Sequence, residues 1–80
     1  MPKVTKLDKQ WEELMFLCDQ ESAYRRQGDH PKLLTLVVAQ IEELAASMGF
    51  SDSQIRGREF RAEREGGRIV RLALDPPAGG

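Results

Sequence analysis

The N-terminal part of the chain carries apolar residues at the spacing of one helix face. Leu7, Trp11, Leu14, Met15 and Cys18 follow the i, i+4, i+7, i+8, i+11 pattern. Two arginines at the end of this segment complement the negative end of a helix dipole, and the glycine after them suits the left-handed position that closes a helix. The pattern predicts a helix from about residue 6 to 27.

A second apolar face begins after a short break. Pro31 fits the first position of a helix, where its missing N–H group costs nothing. Apolar residues then hold one face over four turns: Leu34, Val37, Val38, Ile41, Leu44, Ala45 and Met48. We predict a helix over about 31–48, ended by Gly49. Two helices of this length, joined by about three residues, fold back on each other as an antiparallel αα-hairpin.

The rest of the chain changes from helical spacing to alternation. Ser51 and Gln54 have the spacing of a capping box, which predicts a short helical turn over about 52–56. Beyond it, apolar and charged residues alternate, as in a two-stranded β-hairpin. A three-residue loop, 65–67, gives strands at about 58–64 and 68–74 and collects Phe60, Ala62 and Val70 on one face.

Two other interpretations of this segment remain open. A two-residue Gly66–Gly67 loop pairs Glu63 with Val70 and so mixes the two faces. A charged helix over about 52–65, followed by a lone strand, runs through Gly57 at a cost of about 1 kcal/mol. The three-residue loop is preferred because it leaves only Ile69 and Ala73 off the apolar face.

The elements together predict an α+β fold. It consists of an antiparallel αα-hairpin, a short helical turn and a C-terminal two-stranded β-hairpin in one small domain, 1–75. The last five residues, 76–80, contain only Pro, Ala and Gly and are expected to form a flexible tail. A chain of 80 residues buries only about 60% of its unfolded surface, so a solitary monomer has marginal stability.

Three features of the sequence indicate the cellular compartment of the protein. The longest stretch without a charge, from Leu33 to Ile41, is far shorter than the roughly 20 residues that cross a bilayer. The first residues lack the apolar run of a signal peptide. The single cysteine cannot form an internal disulfide. We therefore expect a cytoplasmic protein that does not enter the membrane.

Residues suited to catalysis are few. His30, the only histidine, precedes a proline and is interpreted as a loop or cap residue, and Cys18 lies on the apolar stripe. One histidine and one cysteine do not make a metal site, and the adjacent carboxylates at 12–13 and 42–43 are expected to be solvated. The glycine pair at 66–67 indicates a turn rather than a phosphate-binding loop. We expect no enzyme, no cofactor, no metal and no small-molecule substrate.

The net charge of −1 conceals an uneven distribution. Residues 1–55 hold six basic and nine acidic side chains, whereas residues 56–71 hold six arginines and three glutamates. In the preferred register Arg61 faces Arg71, a like-charge pair that is mildly destabilising unless an anion or a neighbouring glutamate compensates it. Candidate residues for an anion or nucleic acid are Arg56, Arg61, Arg64, Arg68 and Arg71. The alternative is a solvated strand face whose arginines and glutamates neutralise one another.

This distribution supports nucleic-acid binding as an alternative function. The order of elements resembles that of a winged-helix domain, in which the hairpin acts as a wing. The segment Asp52–Arg56, however, carries one basic residue where a recognition helix carries several. The alternative therefore depends on the Arg-rich hairpin.

The two long helices have more apolar surface than one partner helix covers. Residues 14–18 are apolar around the whole helix, and 33–39 nearly so. Candidate partner-binding residues are Trp11, Phe16, Leu17, Leu33 and Leu36. We expect a small non-catalytic protein–protein interaction module, such as a regulator, adaptor or assembly factor, that acts through an apolar helical face and a basic β-ribbon. We also expect a homodimer with four helices packed about a two-fold axis. The alternative is a monomer in which the β-hairpin covers the helices.

Overall fold

The computed structural model describes residues 5–75 and has the predicted α+β order of elements. The helices and strands are α1 (Lys6–Gln27), α2 (Pro31–Met48), α3 (Asp52–Gly57), β1 (Ala62–Glu65) and β2 (Arg68–Leu72). Both long helices have the predicted bounds, and α3 ends one residue later than predicted. The predicted flexible tail, 76–80, lies outside the described residues, as do residues 1–4.

Two capping boxes start helices in this fold. At the start of α1, the Asp8 N–H donates to Thr5 Oγ1 at 3.1 Å, and the Thr5 N–H donates to the Asp8 carboxylate at 3.2 Å. At the start of α3, the predicted box is confirmed, with Ser51 and Gln54 bonded to each other at 3.1 Å in both directions. Gly28 closes α1 at φ 72°, where its N–H donates to the Tyr24 carbonyl.

The core lies between α1 and α2 and extends under the C-terminal elements. Leu14 and Ile41 are fully buried at its centre. The Phe50 ring packs edge-to-face on Phe60 with ring centroids 5.0 Å apart, which joins the segment after α2 to the segment before β1. The buried apolar residues are Trp11, Leu14, Leu17, Val37, Ile41, Ala45, Met48, Phe50, Ile55 and Ile69.

The β-hairpin is confirmed, but its predicted loop is wrong. The turn consists of Gly66 and Gly67 alone, with φ of 59° and 81°, the left-handed conformations that a two-residue turn needs. Both strands are shorter than predicted, at 62–65 and 68–72. Arg64 pairs with Ile69, and after a register shift Glu63 pairs with Arg71 rather than with Val70.

The register shift is a β-bulge, and it decides which side chains face the helices. Val70 is the extra residue, so Ile69 and Leu72, three positions apart, both point towards the core. Ile69 is 6% exposed, whereas Val70 is 53% exposed. The prediction that placed Ile69 on the outer face is therefore wrong, because it assumed unbroken alternation. The predicted pairing of Arg61 with Arg71 is wrong because the two-residue turn and the bulge each move the pairing by one residue, so that Glu63 stands opposite Arg71.

The hairpin is fixed to the helices by side chains that also cap them. Asp8 Oδ1 accepts a hydrogen bond from the Ile69 N–H at 3.0 Å. Gln54 Nε2 donates to the Ala73 carbonyl at 2.7 Å, and Gln54 Oε1 accepts from the Asp75 N–H at 3.1 Å. These bonds hold both ends of β2 against α1 and α3.

The bulge predicts very different effects for two neighbouring residues. We expect Ile69→Ala to lower the free energy of unfolding by about 2–4 kcal/mol, because it leaves a cavity in the core. We expect Val70→Ala to change it by less than about 0.5 kcal/mol, because that side chain already contacts water. Urea unfolding of both variants checks this, and the reverse order would contradict the observed register.

Candidate interaction surface

The five residues predicted to bind a partner fall into two groups. Trp11 and Leu17 are buried in the core and contribute little to the surface. Phe16, Leu33 and Leu36 are exposed by 60%, 44% and 59% of their area. The apolar surplus predicted from the sequence is therefore partly used for folding, and these three side chains remain outside.

One side of the helix pair is covered by the C-terminal elements. α3 lies beside α2, where Ile55 and Arg56 form a cleft with Glu42, Glu43 and Ala46. Glu43 stands between this cleft and the groove on the other side. β2 meets α1 at Asp8 through the Ile69 N–H. Since each residue of a helix advances by about 100°, the flank of α2 that bears Glu42 and Ala46 is opposite the flank that bears Gln40, Leu44 and Ser47.

The opposite side carries a groove between the two long helices. Leu17 and Leu44 form its apolar floor, and polar side chains form its walls. By helical spacing, Leu33 and Leu36 continue the α2 wall towards the start of that helix. We call this surface the open face and define it by Glu13, Leu17, Leu33, Leu36, Gln40, Glu43, Leu44 and Ser47.

Phe16 lies apart from the open face. Its position is nearly opposite Leu14 on α1, about 200° around the helix, so it points away from α2. Single exposed apolar residues are common on protein surfaces and need no partner. Phe16 is therefore a weaker candidate than Leu33 and Leu36, which stand one turn apart on the same helix.

The predicted arginines do not form one basic surface. Arg71 Nε donates to the Glu63 carboxylate at 2.9 Å, and Arg68 stands directly opposite Glu65. Arg68 and the remaining candidates, Arg56, Arg61 and Arg64, are all exposed and form no ion pair among residues 5–75. Arg56 belongs to α3, and strand alternation places Arg64 and Arg68 on opposite faces of the hairpin.

A buried ion pair lies outside all the sequence predictions. Arg58 holds the Glu21 carboxylate by two hydrogen bonds, from Nε at 3.0 Å and from Nη2 at 2.8 Å. Arg25 adds a third at 3.1 Å. The side chain of Glu21 is only 9% exposed, against 27% for Arg58. The pair joins α1 to the end of α3, where Arg58 has a left-handed φ of 55°.

The electrostatics of this pair follow from its hydrogen bonds. The hydrogen bonds that Arg58 donates hold the pKa of Glu21 below its ordinary value of 4.5, although burial alone would raise it. The helix spacing contained a signal for Glu21, because it lies seven residues after Leu14 on the core-facing stripe. Nothing local in the sequence identifies Arg58 as its partner, 37 residues away.

His30 and Cys18, whose side chains have the chemistry for catalysis, lie where they contribute to the fold. His30 is the N-cap residue of α2, makes no side-chain cap bond and packs its ring on Tyr24 with centroids 5.5 Å apart. Cys18 is half-buried among apolar side chains, and burial raises the pKa of its thiol.

Within residues 5–75, no three His, Cys, Asp or Glu side chains are grouped to hold a metal ion. No helix in that range has the length and apolar character to cross a membrane.

Comparison with known proteins gives no relative to reason from. No protein-family model, no curated protein and no solved structure matches the chain.

The buried ion pair predicts a large effect of a small substitution. We expect Glu21→Gln to lower the free energy of unfolding at about pH 7 by about 2–3 kcal/mol, because Arg58 loses its charged partner while remaining largely buried. Glu12→Gln, an exposed position on the same helix, is the matched control and should stay within about 0.5 kcal/mol. Urea unfolding measures both.

The effect of Glu21→Gln also depends on pH. Because the pKa of Glu21 is lower in the folded state, the unfolded state binds more protons between the two pKa values, and stability rises with pH there. The contribution of the pair is present above the ordinary value of 4.5 and is lost as pH falls through the lower folded value. The difference between wild type and Glu21→Gln must therefore shrink in acid. A constant difference would contradict this assignment.

Proposed function

We propose that the chain is a small non-catalytic interaction module that binds another protein through the open face. The observation that carries this proposal is the contrast between the two sides of the helix pair. One side is covered by α3 and the hairpin, whereas the other has an apolar groove continued by the exposed side chains of Leu33 and Leu36. A partner that covered these side chains would gain about 25 cal/mol for each Å² of apolar area removed from water.

A second copy of the chain is another possible occupant of this face. Leu33 and Leu36 stand near the start of α2, where two copies related by a two-fold axis would bury the same side chains on each other. This arrangement is the homodimer expected from the sequence, with four helices packed together. Its mass is twice 9.0 kDa.

Nucleic-acid binding is less well supported by the geometry. Glutamates stand opposite Arg71 and Arg68 across the hairpin, and the Arg58 guanidinium is held by Glu21. Exposed arginines without an ion pair among residues 5–75 remain at 56, 61, 64 and 68, but they are on different elements or faces. The cytoplasm remains our proposed location, since the unpaired, half-buried Cys18 suits a reducing compartment.

The proposed surface is tested by replacing an exposed apolar residue with aspartate at two different places. Leu36→Asp places a charge on the open face, and Val70→Asp places the same charge on an equally exposed apolar residue of the hairpin. We expect proteins captured from the source cell by the wild type to be retained by Val70→Asp and reduced about tenfold or more by Leu36→Asp. Quantitative mass spectrometry of the captured proteins measures this.

Light scattering on the same purified proteins separates the two occupants. A homodimer through the open face has twice the chain mass in the wild type and in Val70→Asp, and the single-chain mass of 9.0 kDa in Leu36→Asp. A single-chain mass in all three excludes the homodimer and assigns the face to a different protein. Equal capture by Leu36→Asp and Val70→Asp would contradict the proposed function.

A titration with duplex DNA tests the alternative. We expect no saturable binding at about 50 mM salt, because three of the six arginines at 56–71 already face carboxylates. Binding whose log–log salt slope is about −3 to −4, and which Arg61→Ala and Arg64→Ala weaken, would instead favour nucleic acid as the partner.

A further inference from the structure

Two carboxylates flank the apolar groove of the open face. Glu13 on α1 and Glu43 on α2 both line it, on either side of Leu17 and Leu44. Neither glutamate forms a salt bridge within residues 5–75. Each comes from one of the adjacent acidic pairs in the sequence, at 12–13 and 42–43. The fold thus places one carboxylate on each wall of an apolar groove, and Glu43 also lines the neighbouring cleft that holds Arg56.

The shape of the open face suits an α-helix. A helix that enters a groove between two others buries one apolar stripe and leaves its flanks at the groove walls. From Leu33 to Ser47 the α2 wall has fifteen residues, and the fourteen steps between them span about 21 Å at 1.5 Å per residue. A partner helix of about four turns matches this length.

The carboxylates of Glu13 and Glu43 at the groove walls favour some partner helices over others. An acidic helix would place its carboxylates beside Glu13 and Glu43, which is a repulsive arrangement. Lysine or arginine at the flanks of a partner helix would pair with both walls.

We infer that the open face binds an amphipathic helix whose apolar stripe is flanked by lysine or arginine. This inference rests on the proposed function and specifies the chemistry of its partner. The apolar stripe of the partner packs on Leu17 and Leu44 and reaches Leu33 and Leu36. Its basic flanks pair with Glu13 and Glu43, which fix its position and select it over neutral or acidic helices.

Three synthetic helices test the inference. They have about 18 residues each and share one leucine stripe, but their flanking positions carry lysine, glutamine or glutamate. Fluorescence anisotropy of each labelled peptide against the intact protein at about 150 mM salt measures affinity. We expect the lysine peptide to bind at least about tenfold more tightly than the glutamine peptide, and the glutamate peptide to bind most weakly.

Matched variants of the protein show whether the groove is responsible. Glu13→Lys/Glu43→Lys reverses both walls, and we expect it to bind the glutamate peptide more tightly than the lysine peptide. Glu12→Lys/Asp19→Lys changes the net charge equally at exposed positions of α1 outside the groove. We expect this control to keep the order of the wild type. The gain of binding by the first variant also shows that it is folded.

The outcomes distinguish two kinds of failure. If the lysine and glutamine peptides bind equally, or the control loses the lysine peptide as fully as the groove variant, the inferred charge selection is wrong while the proposed function stands. If no peptide binds up to about 1 mM, the open face does not accept a helix and the inference fails as a whole. Loss of cellular partners in Leu36→Asp, measured separately, decides the proposed function.

Discussion

The arrangement of this small fold depends on two polar side chains that each act twice. Asp8 and Gln54 complete the capping boxes of α1 and α3, and the same side chains bind the backbone at the two ends of β2. The Ile69 N–H also holds the pKa of Asp8 below its ordinary value. Because an isolated two-stranded hairpin has little stability in water, these anchors and the burial of Ile69 keep it on the helices.

The anchored elements explain why the two sides of the helix pair differ. With α3 and β2 fixed on one side, Glu21 becomes buried and Arg58 supplies the charge that its burial requires. This ion pair engages Arg58 of the basic segment. Across the hairpin, Glu63 stands opposite Arg71 and Glu65 opposite Arg68. The other side keeps its apolar groove, with Glu13 and Glu43 at the walls and Lys32 beside Leu36. This is the helical surface that we propose for a partner.

The sequence predicts the parts of this structure that depend on local patterns. Apolar spacing, together with the residues that begin and end a helix, marks both long helices, so their bounds and the α+β order are predicted correctly. The β-bulge is not, because one extra residue at Val70 reverses the alternation that the prediction relies on. The partnership of Glu21 with Arg58 is not predicted either, because it joins distant segments. Among the candidate surface residues, Leu33 and Leu36 are exposed as predicted, whereas Leu17 is buried in the core. Helical spacing alone does not distinguish these two outcomes.

Chemical-shift mapping tests most directly which side of the molecule receives a partner. Spectra of ¹⁵N-labelled protein, recorded as the lysine-flanked helix is added, report each backbone N–H separately. The account predicts shifts concentrated at Leu17, Leu33, Gln40 and Ser47, with little change along β1 and β2. Shifts concentrated on the hairpin around Arg61, with none along the groove, would contradict it.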